Sequence, residues 1–272
     1  MLKSYGINKS NAIVDEIDCR IEEFTHLWYT ILENVIPDHE LVLLRSELHR
    51  IYDQQELEFG RENIEEINGK YMARALLCYS DAYLELARKD AIISFVRKIL
   101  GNYFILHLQN GIINMPNEEH HQSSWHRDLP YQNWVASEPI GCNAFYCLDE
   151  FSPETGATIL LPYSHKIDHA PSAQYMEKHA IQLTAKPGSV VLFDSMLFHK
   201  AGYNYSKDII RRGINNFYAR SIVRQQINLP EMLKGKYSED PFMNMLLGYD
   251  AQTSLNVRDF RNRRLSKNQK TY

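Results

Sequence analysis

A chain of 272 residues, 44% hydrophobic and 24% charged, is long enough to bury a full core and has the balance of an ordinary globular protein. Its 30 Lys and Arg against 34 Asp and Glu leave a net charge of −4, which gives no global attraction to nucleic acid or to an anionic membrane surface. Cys19, Cys78, Cys142 and Cys147 stand apart with no C-x-x-C pair, so neither a disulfide framework nor a thiolate zinc site is expected. The opening MLKSYGINKS lacks an apolar leader core, no run approaches the ~18 apolar residues of a membrane span, and a soluble cytoplasmic protein is expected.

From Asp15 to about Leu100 the apolar residues recur at helical spacing: Ile17, Ile21, Phe24, Leu27 and Trp28, then Leu41, Leu43, Leu44, Leu48 and Tyr52. Pro37-Asp38 opens the second helix, where a first-turn proline forfeits no hydrogen bond. A third is predicted from about Ser80-Asp81 through AYLELARKDAIISFVRKIL, stopping at Gly101.

Beyond Gly101 the texture turns to β. YFILHLQNGIINM (103–115), GCNAFYCLD (141–149), ATILLP (157–162), GSVVLFDS (188–195) and RRGINNFYARSIV (211–223) are rich in β-branched and aromatic residues and bounded by Pro, Gly, Asn and Ser. Strands in such succession, without helices between them, predict an antiparallel sandwich or barrel. After Pro230 the chain reads as helical and irregular, and the basic stretch Arg258 to Lys270 as a solvated, frayed tail. The expected fold is mainly β with α: a double-stranded jelly-roll core over about 101–223, a helical N-terminal layer over about 1–100 and an extension over 224–272, all in one domain.

Chemistry concentrates in SSWHRDLP (123–130). Side chains two apart on a strand share a face, so His126 and Asp128 can reach one ion while Arg127 points away. A third ligand must come from elsewhere, and His165, His169 and His199 are the candidates. His199 has the best context: in KPGSVVLFDSMLFH it follows a Pro-Gly turn and a buried strand and stands at the next strand's start. Two imidazoles and one carboxylate on one face of a metal leave three positions open, an arrangement suited to Fe(II) that binds both an oxidant and a co-substrate. Arg211-Arg212 then leads the last strand. A guanidinium forks onto a carboxylate in two parallel hydrogen bonds and, near iron, anchors the far end of a dicarboxylic keto acid. Strand alternation lets only one of the two face inward. The same alternation admits one of Phe145 and Tyr146. His120-His121, and likewise His165 and His169, read as surface loop. Trp125, Tyr131 and Trp134 read as core packing or as the lining of a substrate entrance.

Taken in order, WHRD, LDEFSPETGATILLPYSHK, PGSVVLFDSMLFHKAGYNYS and RRGINNFYAR resemble the phytanoyl-CoA dioxygenase family of iron(II)/2-oxoglutarate oxygenases over about 103–223, with weaker similarity in DPFMNMLLGYD. The resemblance implies a double-stranded β-helix with iron held by His126, Asp128 and His199. It also implies that Arg211 holds the 2-oxoglutarate carboxylate and that Asn114 and Thr158 make polar contacts to the co-substrate. The implied reaction uses Fe(II), 2-oxoglutarate and O2 to hydroxylate an aliphatic carbon of a small molecule, releasing succinate and CO2. Retention of Asp128 fits hydroxylation, since halogenating relatives carry a small residue there. Tyr163 stands where the family usually has a turn glycine. Two rival readings are a non-catalytic β-sandwich with a relic metal site and a cupin-like metalloenzyme without a keto acid; neither gives Arg211 a purpose. The family name suggests an acyl-CoA, yet only the C-terminal tail offers basic residues for one. A small polar metabolite, an amino acid derivative or a biosynthetic intermediate stays equally open.

Overall fold

The computed structural model describes residues 13–129 and 133–269, the last four as backbone only. The opening MLKSYGINKS, Tyr131 and Lys270 lie outside the described residues.

The helical pattern becomes α1 (Glu16–Leu27), α2 (Asp38–Phe59), α3 (Arg61–Glu66), α4 (Asp81–Ala87) and α5 (Asp90–Leu100). Asp15 caps α1 by accepting from the Asp18 N–H. The single helix expected up to Gly101 is thus broken at Arg88-Lys89, and the reason lies in phase. Tyr83, Leu84, Leu86 and Ala87 are buried in α4, and Ile92, Ile93, Phe95, Val96 and Leu100 in α5. On one straight helix at 3.6 residues per turn these two sets would lie on nearly opposite faces. The break lets both be buried.

Two short strands interrupt the helical part where only helix was expected: β1 (Tyr29–Leu32) and β2 (Met72–Arg74). The remaining strands are β3 (Ile105–Asn114), β4 (Gly141–Cys147), β5 (Ile159–Leu160), β6 (Ile181–Gln182), β7 (Val190–Asp194), β8 (His199–Lys200) and β9 (Arg211–Ala219). Among the described residues all pairings are antiparallel and form two sheets, one six-stranded in the order β1-β7-β4-β9-β3-β2, the other three-stranded in the order β6-β5-β8. This is the jelly roll that was expected. Helix α6 (Ala173–His179) leads into β6, and α7 (Leu229–Leu233), α8 (Pro241–Leu246) and α9 (Val257–Gln269) follow the last strand. The stretch read as a frayed tail is therefore largely helix.

Strand alternation splits the large sheet into two faces. Ala144, Tyr146, Leu192, Ile214 and Tyr218 pack outward against the helices. Phe145, Cys147, Val191, Phe193 and Ile112 face inward, toward Leu160 and Leu183 of the second layer. Phe145, not Tyr146, therefore looks into the roll. The outward tyrosines fix this phase: the Tyr146 hydroxyl donates to the Leu86 carbonyl at 2.6 Å and the Tyr218 hydroxyl to Ala87 at 2.9 Å. A one-residue slip would orphan both hydroxyls, at about 1–3 kcal/mol each, and turn the apolar set to the wrong side. Gly111 lets α2 press close on β3, since a Cβ there would fall 2.2 Å from Leu48 Cδ1.

Candidate active site

The inner face carries the expected metal residues. His126 lies not at a strand end but in a loop, tied to β8 by a single bridge in which His126 and His199 exchange N–H···O bonds of 3.0 Å each way. Asp128 is held two residues on by its N–H to the Ser195 carbonyl at 3.2 Å. Imidazole orientation is set from behind: Nδ1 of His126 faces the Ser124 carbonyl at 2.8 Å, and Nδ1 of His199 the Leu197 carbonyl at 3.0 Å. With the proton on Nδ1, each ring presents the Nε2 lone pair to the site. His199 Nε2 is 3.5 Å from Asp128 Oδ1 and His126 Nε2 is 4.0 Å from it. The three ligand atoms lie within 4.8 Å of one another. The buried Nε2 of His126 has no hydrogen-bond partner, an orphan of the kind a metal satisfies. Two nitrogens and one carboxylate oxygen fit Fe(II).

The charges agree with a cation site. Burial pushes the Asp128 carboxyl up, but the His199 charge, a hydrogen bond from it and His126 outweigh that and hold it at about 2. His199 moves the other way: burial lowers it, yet Asp128 leaves it raised. His126 is depressed by burial and then by His199.

Arg211 enters the same cavity from the start of β9. It is 1% exposed, its Nη2 donates to the Gly156 carbonyl at 2.6 Å, and its guanidinium lies 4.7 Å over the Phe151 ring. Nε is buried without a partner, and burial brings the guanidinium down to about 10. Arg212 points to the other side and grips Asp149 in a fork, Nε at 2.7 Å and Nη2 at 3.0 Å, alongside Arg45 at 2.9 Å. Alternation thus turns Arg211, not Arg212, into the cavity. Thr158 lines the cavity with the triad, Arg211 and Asn215.

Asn114 stands behind that wall. Its amide donates to the carbonyls of Gly156 at 3.3 Å and Gly202 at 3.0 Å. It therefore positions the carbonyl that holds Arg211. Gly156 has φ +73, and a Cβ there would fall 2.6 Å from both Asn114 Nδ2 and the Gly202 oxygen. Gly156→Ala is expected to raise the 2-oxoglutarate dissociation constant by about tenfold and to cost about 1–3 kcal/mol of stability. Calorimetric titration and thermal unfolding check both, and unchanged affinity would mean that the Gly156 carbonyl does not seat Arg211.

Several residues read as surface loop are not. His120 is 5% exposed and stacks on His121 with ring centroids 4.5 Å apart. Burial pushes His120 down to about 3 and His121 to about 4. Gln122, whose N–H donates to His120 Nδ1 at 3.2 Å, lines the metal cavity. His165 is also buried, stacked on Trp28 at 3.7 Å, and is not among the residues that line the triad's cavity. His169 is exposed, as expected, and pairs with Asp168. Tyr163 takes a left-handed φ of 63, the conformation for which a turn glycine is the usual choice. Trp125 packs by Leu161 and Phe198. Arg127 does point away from the triad, its guanidinium donating to the carbonyls of Trp134, Ser164 and Ile167.

A second opening adjoins the triad. Beyond Asp128 lies a cleft of about 620 Å³ whose lining includes His107, Leu129, Trp134, Ile140, Arg224 and Gln226. Of these the sequence reading singled out only Trp134. The others carry no motif; their placement depends on how β3 and the segment after β9 meet.

The family model for phytanoyl-CoA dioxygenase (PhyH) matches residues 29–213. An uncharacterized protein of Mycobacterium tuberculosis is 28% identical over 229 residues, covering 81% of this chain and 80% of its own. Ectoine dioxygenase of Nocardia farcinica is 24% identical over 217 residues, covering 68% and 72%. The crystal structure of HygX from Streptomyces hygroscopicus, with nickel and 2-oxoglutarate bound, superposes with a TM-score of 0.59 at 15% identity, over 81% of this chain and 92% of that one, and shares the fold. With the family model spanning most of the large sheet and all of the triad, the chain belongs to the phytanoyl-CoA dioxygenase family, a family of 2-oxoglutarate-dependent dioxygenases.

Proposed function

We propose that the protein hydroxylates an aliphatic carbon of a small-molecule substrate, using Fe(II) held by His126, Asp128 and His199 and converting 2-oxoglutarate and O2 to succinate and CO2. The observation that carries this reading is the triad sharing one cavity with the buried Arg211, whose Nε has no partner. Iron(II) supplies the oxidising chemistry when bound, with the keto acid as the source of two electrons. The chain does the rest. Arg211 takes the far carboxylate of the keto acid, Thr158 offers a hydroxyl beside it, and Asn114 keeps the Gly156 carbonyl in place behind the guanidinium. Ile112, Phe145 and Phe193 line the cavity and limit water. Asp128, held at about 2, stays ionised at neutral pH, and no side chain is asked to act as general acid or base.

The relic and cupin-like readings leave Arg211 as a buried charge with no anion to receive it, offset only by the Gly156 carbonyl and the Phe151 ring. Helices and sheet share one apolar core, which supports reading 1–272 as a single oxygenase domain. No helix among the described residues is long and apolar enough to cross a membrane.

The decisive test is anaerobic. Fe(II) and then 2-oxoglutarate are added to the apo-protein, and a weak visible charge-transfer band of a chelated keto acid is expected. Iron binding without that band would overturn the reading.

A further inference from the structure

The Asp128 carboxylate divides its two oxygens between two kinds of neighbour. Oδ1 faces the imidazoles, 3.5 Å from His199 Nε2 and 4.0 Å from His126 Nε2. Oδ2 faces an amide: Asn215 Nδ2, on β9, donates to it at 3.5 Å. Asn215 lines the metal cavity and opposes Phe145 on β4, and Asn143 stands two residues before Phe145 on that strand. Directly opposed residues share a face and side chains two apart repeat it, so both asparagines project from the inner face of the sheet.

Asn143 is 0% exposed, and among the described residues neither its oxygen nor its nitrogen has a hydrogen-bond partner. The side chains opposed to it across the sheet, Phe193 on β7 and Phe217 on β9, are hydrocarbon rings that offer none. Its amide is nonetheless near enough to Asp128 to help hold that carboxyl down, after the burial that raises it and behind His199 and His126. Asn215 Oδ1 is likewise buried without a partner. Buried amides left in this state cost stability, and an apolar side chain of the same shape would remove the cost. Packing therefore gives no account of either residue. Holding the carboxylate does. A carboxylate free to rotate presents either oxygen to a metal, whereas one whose outer oxygen is held by amide N–H presents the other.

We propose that Asn215 and Asn143 are positioning residues of the metal site. Their amides hold Asp128 Oδ2, turn Oδ1 toward His126 and His199, and so let one carboxylate take one metal position and leave three open. The inference rests on the oxygenase reading and adds two residues to its machinery, both acting through Asp128.

The test uses Asn215→Leu and Asn143→Leu, which keep the branching of the side chain and remove its polar atoms. Metal-free protein is unfolded thermally, and separately titrated with Ni(II) in a calorimeter. Each variant is expected to bind Ni(II) about 10–100-fold more weakly, as loss of an outer-shell partner does. The metal-free Tm is expected to equal or exceed that of the wild type, because an unsatisfied amide is gone. That opposition is the signature, since an asparagine with a structural role alone would lose stability and keep its metal affinity. Asn215 is only half-buried, so Asn215→Leu decides alone if Asn143→Leu does not fold. Unchanged Ni(II) affinity in either folded variant overturns the proposal, and so does a weaker affinity that comes with a lowered metal-free Tm. Failure of both variants to fold also overturns it, by assigning the asparagines to the fold. Should the wild type itself bind no Ni(II), the oxygenase reading falls and this proposal with it; wild-type binding with unaffected variants sinks the proposal alone.

Discussion

His199→Ala is expected to abolish 2-oxoglutarate turnover while leaving the jelly roll in place. On the proposed reading the side chain supplies one of three ligand atoms, and its Nε2 lies 3.5 Å from Asp128 Oδ1. Removing it leaves one imidazole and one carboxylate on a face that needs three donors. Loss of an outer-shell partner alone typically costs about 10–100-fold in metal affinity or activity, so loss of a ligand should exceed that range. The fold has separate support. β8 is held by backbone bonds, the reciprocal pair with His126 and the pairing of His199 with Leu160, and none of these uses the imidazole. Two groups do lose a partner: the Asp128 carboxylate and the Leu197 carbonyl that faced Nδ1. A stability loss of about 1–3 kcal/mol is therefore expected alongside the loss of activity. Succinate release, bound iron after desalting and thermal unfolding together separate the two effects. Full turnover in the variant would sink the ligand assignment.

The grouping of His126, Asp128 and His199 was legible because their types and spacing are chemical statements. The reasoning behind the spacing was only partly right. His126 and Asp128 converge not through the alternation of a strand but because one bridge to His199 and one bond to Ser195 hold the loop. The choice between Arg211 and Arg212 stayed open in the sequence because alternation gives a period and no phase. The phase comes from tertiary contacts such as the Tyr146 and Tyr218 hydroxyls on the end of α4. β1 and β2, four and three residues long, are too short for periodicity to register inside a helical context. The break between α4 and α5 was readable in principle, since the apolar phase reverses there. The burial of His120 and His165 was not: a histidine stacked on Trp28 looks the same in sequence as one in solvent.

Arg211→Ala and Arg212→Ala, though neighbours of the same type, are expected to fail in different ways. Arg211 is buried in the cavity with Nε unpartnered and one Nη2 bond to Gly156. On the proposed reading its alanine variant loses the fork for the far carboxylate. Charge-assisted hydrogen bonds contribute roughly 1.5–3 kcal/mol each, so losing two should raise the 2-oxoglutarate requirement by about 100-fold or more. Turnover at saturating co-substrate should fall much less, because the metal ligands are untouched. Arg211→Lys retains the charge and loses the planar fork, so an intermediate affinity is expected. Arg212 sits on the other side of the strand with Asp149, which Arg45 also contacts. Arg212→Ala leaves Asp149 with that second arginine, so the expected result is a modest stability loss of about 1 kcal/mol with the 2-oxoglutarate requirement nearly unchanged. The comparison is sharp because both variants delete one positive charge from adjacent positions, and any long-range electrostatic effect would appear in both. Only a directed contact inside the cavity separates them. Equal effects on the 2-oxoglutarate requirement, or the reverse order, would mean that the anchor is not Arg211 and that the cavity binds its keto acid by some other group.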